Sequence, residues 1–168
     1  ELCVADDASN APHVRRVLEA HAAADARIRI TWREANGNIS AALNTALGMC
    51  GGEFMAVLDH DDLLAPAALY WIARTIAENP DVDYVYSDED KVNADGSRFF
   101  GPFFKPGWSP EYFLSLMYTC HLGAYRLALA RGLGGYRPEF DGAQDYDFTL
   151  RFLLRTQSWK IILGDDGI

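Results

Sequence analysis

Apolar and polar residues follow one another along the first half of the chain in a pattern that predicts four strands. Continuous apolar runs at residues 2–5 and 54–58 have the length of buried strands, and both stop at acidic residues. Residues 28–32 alternate apolar with polar side chains, and residues 82–87 form a further short apolar stretch. Apolar runs of this kind are typical of a sheet that is covered on both faces.

Helical spacing of apolar residues fills the segments between these strands. One helix is predicted to begin near Pro12, with Ser9 or Asn10 as its cap, and a second to end at the glycine pair 51–52. A third helix covers residues 66–77. Because strands and helices alternate, we predict an α/β fold with a mostly parallel central sheet and helices on both faces. Ligands should bind at the carboxyl ends of its strands.

The second half of the chain has no clean periodicity. Turn residues at Asp95-Gly96, aromatic pairs and several prolines interrupt the pattern. Three helices are nevertheless expected, at residues 111–117, 126–131 and 144–155. A chain of 168 residues has the length of one domain, so we expect a single core.

The net charge of the chain indicates which kinds of molecule it is expected to bind. The chain carries 24 Asp and Glu against 15 Lys and Arg, which gives a formal net charge of -9 at pH 7. Nucleic-acid backbones are bound chiefly by clustered Lys and Arg, so this balance argues against nucleic acid as a partner. A cation is the partner that such an acidic chain favours.

The cysteines and the apolar stretches indicate the cellular compartment in which the protein is expected. Cys3, Cys50 and Cys120 are odd in number and far apart, which favours reduced thiols and a cytoplasmic protein. The sequence has no apolar run of about 18 residues and no signal peptide, so we expect membrane contact only as peripheral association at the cytoplasmic face, through parts outside this segment. Strand-like stretches at both ends and the lack of an initiating Met indicate a domain truncated at both ends, and a fragment that is itself inactive.

A cluster of carboxylates follows the apolar run at residues 54–58. Asp59, Asp61 and Asp62 would crowd at the carboxyl end of this strand, where like charges repel unless a cation neutralises them. A divalent metal would remove that repulsion. The alternative, that Asp61 or Asp62 caps the following helix while the others are solvated, stays open on these residues alone.

Two further acidic pairs are candidates for chemistry. Asp6 and Asp7 end the first strand in the same way; they are suited to capping a helix, but beside the second cluster we favour a nucleotide contact. Asp145 and Asp147 lie at the start of a predicted helix, where acids interact well with the helix dipole. A carboxylate in this place can also act as a general base that takes a proton from an attacking hydroxyl.

Four segments together resemble the family 2 glycosyltransferases of the GT-A fold. They are residues 1–10 (ELCVADDASN), 36–44 (NGNISAALN), 52–66 (GEFMAVLDHDDLLAP) and 142–151 (GAQDYDFTLR), in the order of the family. The resemblance covers nearly the whole chain and implies one Rossmann-like GT-A domain over residues 1–168. Within that domain, residues 1–91 would form the nucleotide-sugar-binding half and residues 92–168 the acceptor-binding half.

The resemblance also implies roles for individual residues. Asp7 would contact the nucleobase, Asp59 would lie on the ribose side of the donor, and Asn36 would belong to the donor-binding loop. Asp61, the second Asp of the Asp-x-Asp motif, would bind Mn²⁺ or Mg²⁺ at the diphosphate. Asp145 would be the catalytic base.

The activity that the resemblance implies is the transfer of a sugar with inversion at its anomeric carbon. The donor would be a nucleoside-diphosphate sugar, with a UDP-sugar expected, and the acceptor a glycan or a lipid-linked molecule. Such a reaction would belong to the synthesis of cell-surface polysaccharide. A direct displacement by the acceptor hydroxyl accounts for the inversion.

Some residues near these motifs receive no role. Residues 84–91 (YVYSDEDK) are similar to a family segment beside the donor site, but Asp88 and Asp90 are expected to be solvated turn acids. His121 falls near the acceptor region of the family. A lone His between apolar neighbours is expected to be a packed side chain.

Two other classes of protein are the alternatives to a glycosyltransferase. A non-catalytic module that binds nucleotide-sugar or glycan would keep the fold, but it has little use for Asp145 as a base. A sugar-phosphate nucleotidyltransferase would need a Gly-rich phosphate loop with a basic residue, and the sequence shows none. We therefore expect a glycosyltransferase, with these two classes as the alternatives.

Overall fold

The computed structural model describes residues 1–164 of the chain as strands, helices and their connections. The strands are β1 (Leu2–Asp6), β2 (Ile28–Trp32), β3 (Phe54–Ala56), β4 (Tyr84–Tyr86), β5 (Glu89–Val92), β6 (Phe99–Phe103), β7 (Gly123–Arg126) and β8 (Ile161–Leu163). The helices are α1 (Pro12–Ala24), α2 (Asn38–Met49), α3 (Ala68–Glu78), α4 (Pro110–Phe113), α5 (Leu127–Gly132) and α6 (Gln144–Leu153), with 3-10 turns at Pro138–Phe140 and Ser158–Lys160.

Contacts between residues divide the chain into two compact units. The first unit contains Glu1–Glu53 and Ala130–Phe152, and the second contains Phe54–Leu129 and the chain from Leu153 onward. This division does not follow the boundary at residue 91 that separates the two expected halves. The assignment of the halves to donor and acceptor therefore stays a prediction.

The first unit contains one pair of parallel strands and helix α6, which packs through an aromatic residue on the segment that precedes it. β1 and β2 pair in parallel, with Leu2 opposite Ile28 and Asp6 opposite Trp32. In α6, Phe148 is buried and stacks on Tyr136 with ring centroids 4.2 Å apart. The strand, helix, strand and helix predicted for residues 1–50 are confirmed.

An amide side chain joins α2 to the segment before α6. The Nδ2 of Asn44 donates to the carbonyl of Tyr136 at 2.8 Å, and the amide N–H of Tyr136 donates to Oδ1 of Asn44 at 2.7 Å. The neighbouring Gly135 has φ of 87°, a conformation that favours glycine, and a Cβ there would collide with the Asn44 side chain. The same Asn44 thus pairs with the backbone as another strand would.

The capping prediction for α1 is wrong. Its N-cap is Ala11, with no side-chain hydrogen bond, although Pro12 does occupy the first turn as expected. The amide N–H of Ser9 instead donates to Oδ2 of Asp6 at 3.1 Å. The observed cap therefore lies two residues after Ser9 and one residue after Asn10, the two caps that the sequence indicated.

The second unit contains a four-stranded sheet in the order β3-β7-β4-β8. β4 and β8 are parallel, but β7 lies between β3 and β4 and is antiparallel to both. A hydrophobic core cluster of the second unit contains the buried residues Ile72, Val82, Val85, Leu122 and Ala124. The predicted α/β class is confirmed, with the correction that this sheet is mixed in direction.

A β-hairpin in the second unit was not predicted as strands. β5 and β6 pair antiparallel, with Val92 opposite Phe99 and an irregularity between Glu89 and Lys91. Gly96 has φ of 74° in the connecting turn, so the turn expected at Asp95-Gly96 is present. The irregular pairing and the proline inside β6 explain why no alternation was visible in the sequence.

The remaining helices differ from the predictions mainly in their ends. α3 and α6 lie where they were expected, whereas α4 is only four residues long and α5 directly follows β7. None of the helices within residues 1–164 combines the length and the apolar character that a bilayer crossing demands.

Candidate functional site

The acidic cluster of the second unit lies on a turn. β3 ends at Ala56, and the amide N–H of Asp62 donates to the carbonyl of Asp59 at 3.2 Å. In such a turn the first and fourth residues approach within about 7 Å, while the two middle residues form the corner. The turn therefore brings Asp59 together with Asp62, and Asp61 occupies the corner.

A histidine from the loop before β7 completes this group. The Nε2 of His121 lies 3.9 Å from Oδ2 of Asp59, and its Nδ1 lies 3.9 Å from Oδ2 of Asp62. One ligand atom from each of the three residues can be chosen so that all lie within 4.8 Å of one another. Two carboxylates and an imidazole at this spacing suit a divalent cation, whose ligands in an octahedral site lie about 3 to 4 Å apart.

All three side chains are accessible to solvent. The exposed fractions are 46% for His121, 41% for Asp59 and 40% for Asp62. The expectation that His121 is a packed side chain is therefore wrong. Neither Asp62 nor His121 was chosen as a site residue from the sequence, because the first shares its turn with two other acids and the second is remote in the chain.

A cavity of about 480 Å³ adjoins this group in the second unit. Asp61, Asp62 and His121 line one part of it, and Trp71 and Phe100 line another. Asp61, predicted to bind the metal, thus borders the same cavity without belonging to the group of converging ligand atoms. The assignment of Asp61 stays a prediction.

Asp88 and Asp90 differ from each other in the same region. Asp88 is 7% exposed, and its Oδ1 accepts the amide N–H of Lys105 at 2.6 Å. The expectation of a solvated acid is wrong for Asp88, which organises the backbone after β6. Asp90 is exposed, as expected.

In the first unit, Asp7 and Asn36 are brought together at the end of β1. The carboxylate of Asp7 accepts hydrogen bonds from Nε of Arg33 at 2.6 Å and from the amide N–H of Gly37 at 3.1 Å. Nδ2 of Asn36 donates to the carbonyl of Asp7 at 3.2 Å. With 19% of its side chain exposed, Asp7 remains accessible to a ligand while it holds the loop of Asn36 in place.

Arg33 holds the other side of this loop. Its Nη1 donates to Oγ1 of Thr45 at 2.7 Å and to the carbonyl of Ala41 at 3.2 Å, both in α2. A Cβ at position 37 would lie 2.5 Å from Nη2 of Arg33 and 2.9 Å from Cβ of Ala41. Glycine is needed at position 37 because of this close approach.

Adjacent residues Asp6 and Asp7 have different roles. Asp6 is 9% exposed and accepts the amide N–H of Ser9, so its carboxylate stabilises the turn after β1. Asp7 follows the last residue of β1, and its carboxylate accepts hydrogen bonds from Arg33 and Gly37 instead. Of the pair, Asp7 is the less buried residue.

Asp145 and Asp147, in the first turns of α6, are also separated. Asp145 is exposed, and its carbonyl accepts Oγ1 of Thr149 at 2.8 Å. Asp147 has a side chain that is 7% exposed, and it forms ion pairs with Arg137 and Arg151. The exposed carboxylate of Asp145 accepts the amide N–H of Tyr146 at 2.7 Å, whereas the buried carboxylate of Asp147 anchors the helix through its two arginines.

The two arginines determine the ionisation of Asp147. Burial would raise its pKa, but the hydrogen bonds from Arg137 and Arg151 outweigh burial and lower the pKa below the ordinary value. Arg151 also donates to the carbonyls of Leu133 and Gly135 at 3.1 and 2.8 Å. Asp147 is therefore ionised in the folded state and connects α6 to the segment before it.

Curated proteins with similar sequences contain this chain as a small part of their length. The uncharacterized protein y4gI of Sinorhizobium fredii is 45% identical over 161 residues, which are 96% of this chain and 18% of that protein. The O-antigen biosynthesis protein RfbC of Myxococcus xanthus is 38% identical over 158 residues, 94% of this chain and 12% of that protein. The chain thus spans less than a fifth of either relative.

A solved structure shares the fold. TarS 1-349 of S. aureus, crystallised in complex with UDP-GlcNAc, superposes with a TM-score of 0.75 at 24% identity, over 96% of this chain and 46% of that one. This similarity confirms the predicted GT-A fold class. The sequence pattern of the family described as glycosyl transferase family 2 matches residues 1–133. The chain therefore belongs to glycosyl transferase family 2.

Proposed function

We propose that this chain is the donor-binding and catalytic part of an inverting glycosyltransferase. The donor is a nucleoside-diphosphate sugar bound with a divalent cation, and the acceptor is a glycan or a lipid-linked molecule. The observation that carries the proposal is the convergence of Asp59, Asp62 and His121 beside a cavity, in a chain of this family.

The donor set of this group fits a cation that accepts both oxygen and nitrogen ligands. Asp59 and Asp62 supply carboxylate oxygen and His121 supplies imidazole nitrogen, which suits Mn²⁺, with Mg²⁺ as the other candidate. When bound there, such a cation supplies positive charge for the leaving diphosphate. Asp61 borders the same cavity and is proposed to join the coordination when the diphosphate is present.

Asp7 and Asn36 are proposed to hold the nucleoside of the donor. The hydrogen bonds from Arg33 and Gly37 fix the Asp7 carboxylate, so little ordering is left for the moment of binding. Asp59 is proposed to face the ribose as well. UDP-GlcNAc in TarS supports a nucleotide-sugar, and a UDP-sugar in particular, as the donor.

Asp145 is proposed as the general base. Its carboxylate takes the proton of the acceptor hydroxyl while the hydroxyl oxygen forms a bond to the anomeric carbon. The bond from that carbon to the diphosphate oxygen breaks, and the nucleoside diphosphate leaves on the opposite face. A single displacement of this kind inverts the configuration of the sugar.

The biological setting is proposed from the relatives. The name of the Myxococcus xanthus relative, an O-antigen biosynthesis protein, supports a role in cell-surface polysaccharide synthesis. We place the reaction in the cytoplasm or at the cytoplasmic face of the membrane, where sugar nucleotides are available.

Transfer can be tested on the full-length protein with a panel of UDP- and GDP-sugars, Mn²⁺ and oligosaccharide or lipid-linked acceptors. Release of nucleoside diphosphate and the configuration of the product are measured. Asp145→Asn should lower turnover by about 10²-fold or more and leave donor affinity nearly unchanged, because only the proton acceptor is lost. Glu139→Gln is the matched control, since Glu139 is an exposed acid close to Asp145 in sequence.

The same assay separates the alternatives. Turnover of Asp145→Asn equal to that of the unaltered protein would remove Asp145 from the mechanism. Tight binding of a nucleotide-sugar without transfer to any acceptor would favour a binding module. Release of pyrophosphate from a nucleoside triphosphate and a sugar phosphate would favour a nucleotidyltransferase.

A further inference from the structure

Lys105, which follows β6, is a fully buried cation that the proposed reaction does not use. Its side chain is 0% exposed, and its Nζ pairs with Oε2 of Glu89 at 2.9 Å. The same Nζ donates to the carbonyls of Thr119 at 2.9 Å and His121 at 2.6 Å. A lysine ammonium has three donors, so these acceptors satisfy all of them.

Glu89 contacts the same loop from its carboxylate. Its Oε2 accepts the amide N–H of His121 at 3.2 Å, in addition to the ammonium of Lys105. Both backbone groups of His121 are therefore held by one ion pair, the N–H by Glu89 and the carbonyl by Lys105. Asp88 fixes Lys105 in turn by accepting its amide N–H at 2.6 Å.

We propose that Lys105 and Glu89 are positioning residues that set the backbone of His121 so that its imidazole faces Asp59 and Asp62. The inference rests on the proposed function, in which these three side chains bind a cation. A ligand fixed in its backbone has only its two side-chain torsions left to order, and groups that orient metal ligands commonly strengthen binding by 10- to 100-fold.

The contacts of this ion pair distinguish it from a packing contact. A buried ion pair can often be replaced by apolar residues of the same volume without loss of stability. The ammonium of Lys105 is directed at two carbonyls of one loop, and that loop carries His121. The ion pair thus supplies the orientation of the loop, which apolar side chains would not supply.

A second ion pair in the same unit provides a matched control. The side chain of Asp83 is 7% exposed and accepts Nε of Arg126 at 2.9 Å and Oγ1 of Thr156 at 2.7 Å. It is nearly as buried as Lys105, and His121 is not among its partners. Asp83→Asn should therefore lower the denaturation midpoint without changing the arrangement of His121.

The test compares Lys105→Met, Glu89→Gln and Asp83→Asn in the full-length protein. Electron paramagnetic resonance measures the concentration of free Mn²⁺ and so gives the affinity. Mass spectrometry follows amide hydrogen exchange in the peptide that covers residues 117–122. Lys105→Met should weaken Mn²⁺ binding by about tenfold and speed exchange in this peptide. Glu89→Gln keeps an oxygen for His121 but loses the charge, so about a threefold effect is expected.

The outcomes are separable. Unchanged Mn²⁺ affinity and unchanged exchange in Glu89→Gln would overturn the proposal even if Lys105→Met does not fold. Equal losses of Mn²⁺ affinity in Asp83→Asn and in the Lys105 and Glu89 variants would also overturn it, because general destabilisation would then explain them. If the unaltered protein binds no Mn²⁺ while exchange still rises in Glu89→Gln and not in Asp83→Asn, the cation of the proposed function is wrong and the positioning of the His121 loop stands.

Discussion

Two acidic residues of the first unit, Asp7 and Asp147, have different surroundings from two of the second unit, Asp59 and Asp62. In the first unit, Asp7 is paired with Arg33, and Asp147 lies between Arg137 and Arg151. In the second unit, Asp59 and Asp62 face His121, and the described residues give neither of them an Arg or Lys partner. A carboxylate with its own counter-charge stabilises the fold, whereas unpaired carboxylates close together favour a cation supplied from outside.

Among the four acids of this comparison, the largest effect on stability is expected from Asp147 in the first unit. Asp147→Asn should lower the free energy of unfolding by about 2 kcal/mol, less than the 3 kcal/mol or more of a fully buried pair because Arg137 is partly exposed. Urea denaturation measures this change, and Glu139→Gln is the control. Mn²⁺ affinity should stay the same. An Asp147→Asn variant that also lost Mn²⁺ affinity would contradict the difference between Asp147 and the acids near His121.

The opposite result is expected from Asp62 in the second unit. Asp62→Asn should weaken Mn²⁺ binding by about tenfold, or about 1.4 kcal/mol, while stability stays level or rises as the repulsion from Asp59 disappears. Calorimetric titration of Mn²⁺ and urea denaturation check both parts. The control is Asp81→Asn, which removes an exposed acid of the same unit.

Asp61, at the corner of the turn, provides a comparison with Asp62 in the same Mn²⁺ titration. Asp61→Asn should leave Mn²⁺ binding unchanged in the absence of nucleotide and weaken it when a nucleoside diphosphate is present. An Asp61 variant that loses Mn²⁺ by itself as strongly as the Asp62 variant would contradict the arrangement of ligands that we propose.

A smaller effect is expected where the loop of the first unit is packed most closely. Gly37→Ala should lower the free energy of unfolding by about 1 kcal/mol, because its Cβ would press on Arg33 and Ala41. Nucleotide affinity should fall with it as Asp7 loses its fixed position. Gly48→Ala in α2 is the matched control, since a Cβ there meets nothing within 4 Å and a helix gains from the exchange.

The smallest effect is the pH dependence of the Asp147 contribution. The folded state lowers the pKa of Asp147, so its stabilisation is complete above the unfolded pKa of about 3.9 and is lost as pH falls toward the folded value. The difference in unfolding free energy between the unaltered protein and Asp147→Asn should be constant from about pH 7 to 5 and shrink below about pH 4. A difference that grows in acid would show that Asp147 is not ionised in the native state.

Elements that depend on local pattern were predictable. The apolar runs that become β1 and β3 stop at Asp6 and Asp59, and the helical period of residues 144–155 predicted α6. The missed strand β7 is four residues long and continues directly into α5. Its place between β3 and β4 depends on pairing with strands remote in sequence, which a local period does not carry.

The candidate site was predictable only in part for a similar reason. An Asp-x-Asp motif suggests that Asp59 and Asp61 act together, as alternate residues of an extended strand would. The turn after β3 instead pairs the first residue with the fourth, so Asp62 approaches Asp59. His121 and Lys105 reach the group from other loops, and no spacing in the sequence connects them to it.

The pairing of Asn44 with Tyr136 has a consequence for sequence variation. Replacing Asn44 leaves two backbone groups of Tyr136 without their partner, and giving Gly135 a side chain displaces the Asn44 amide. Because both substitutions disrupt the same contact, the two positions should show epistasis: once Asn44 has been replaced by a smaller residue, a side chain at position 135 should lose its steric cost and keep only the cost of the positive φ. A mutational library that varies positions 44 and 135 one at a time would score both as intolerant. It would not show that the two positions are energetically coupled.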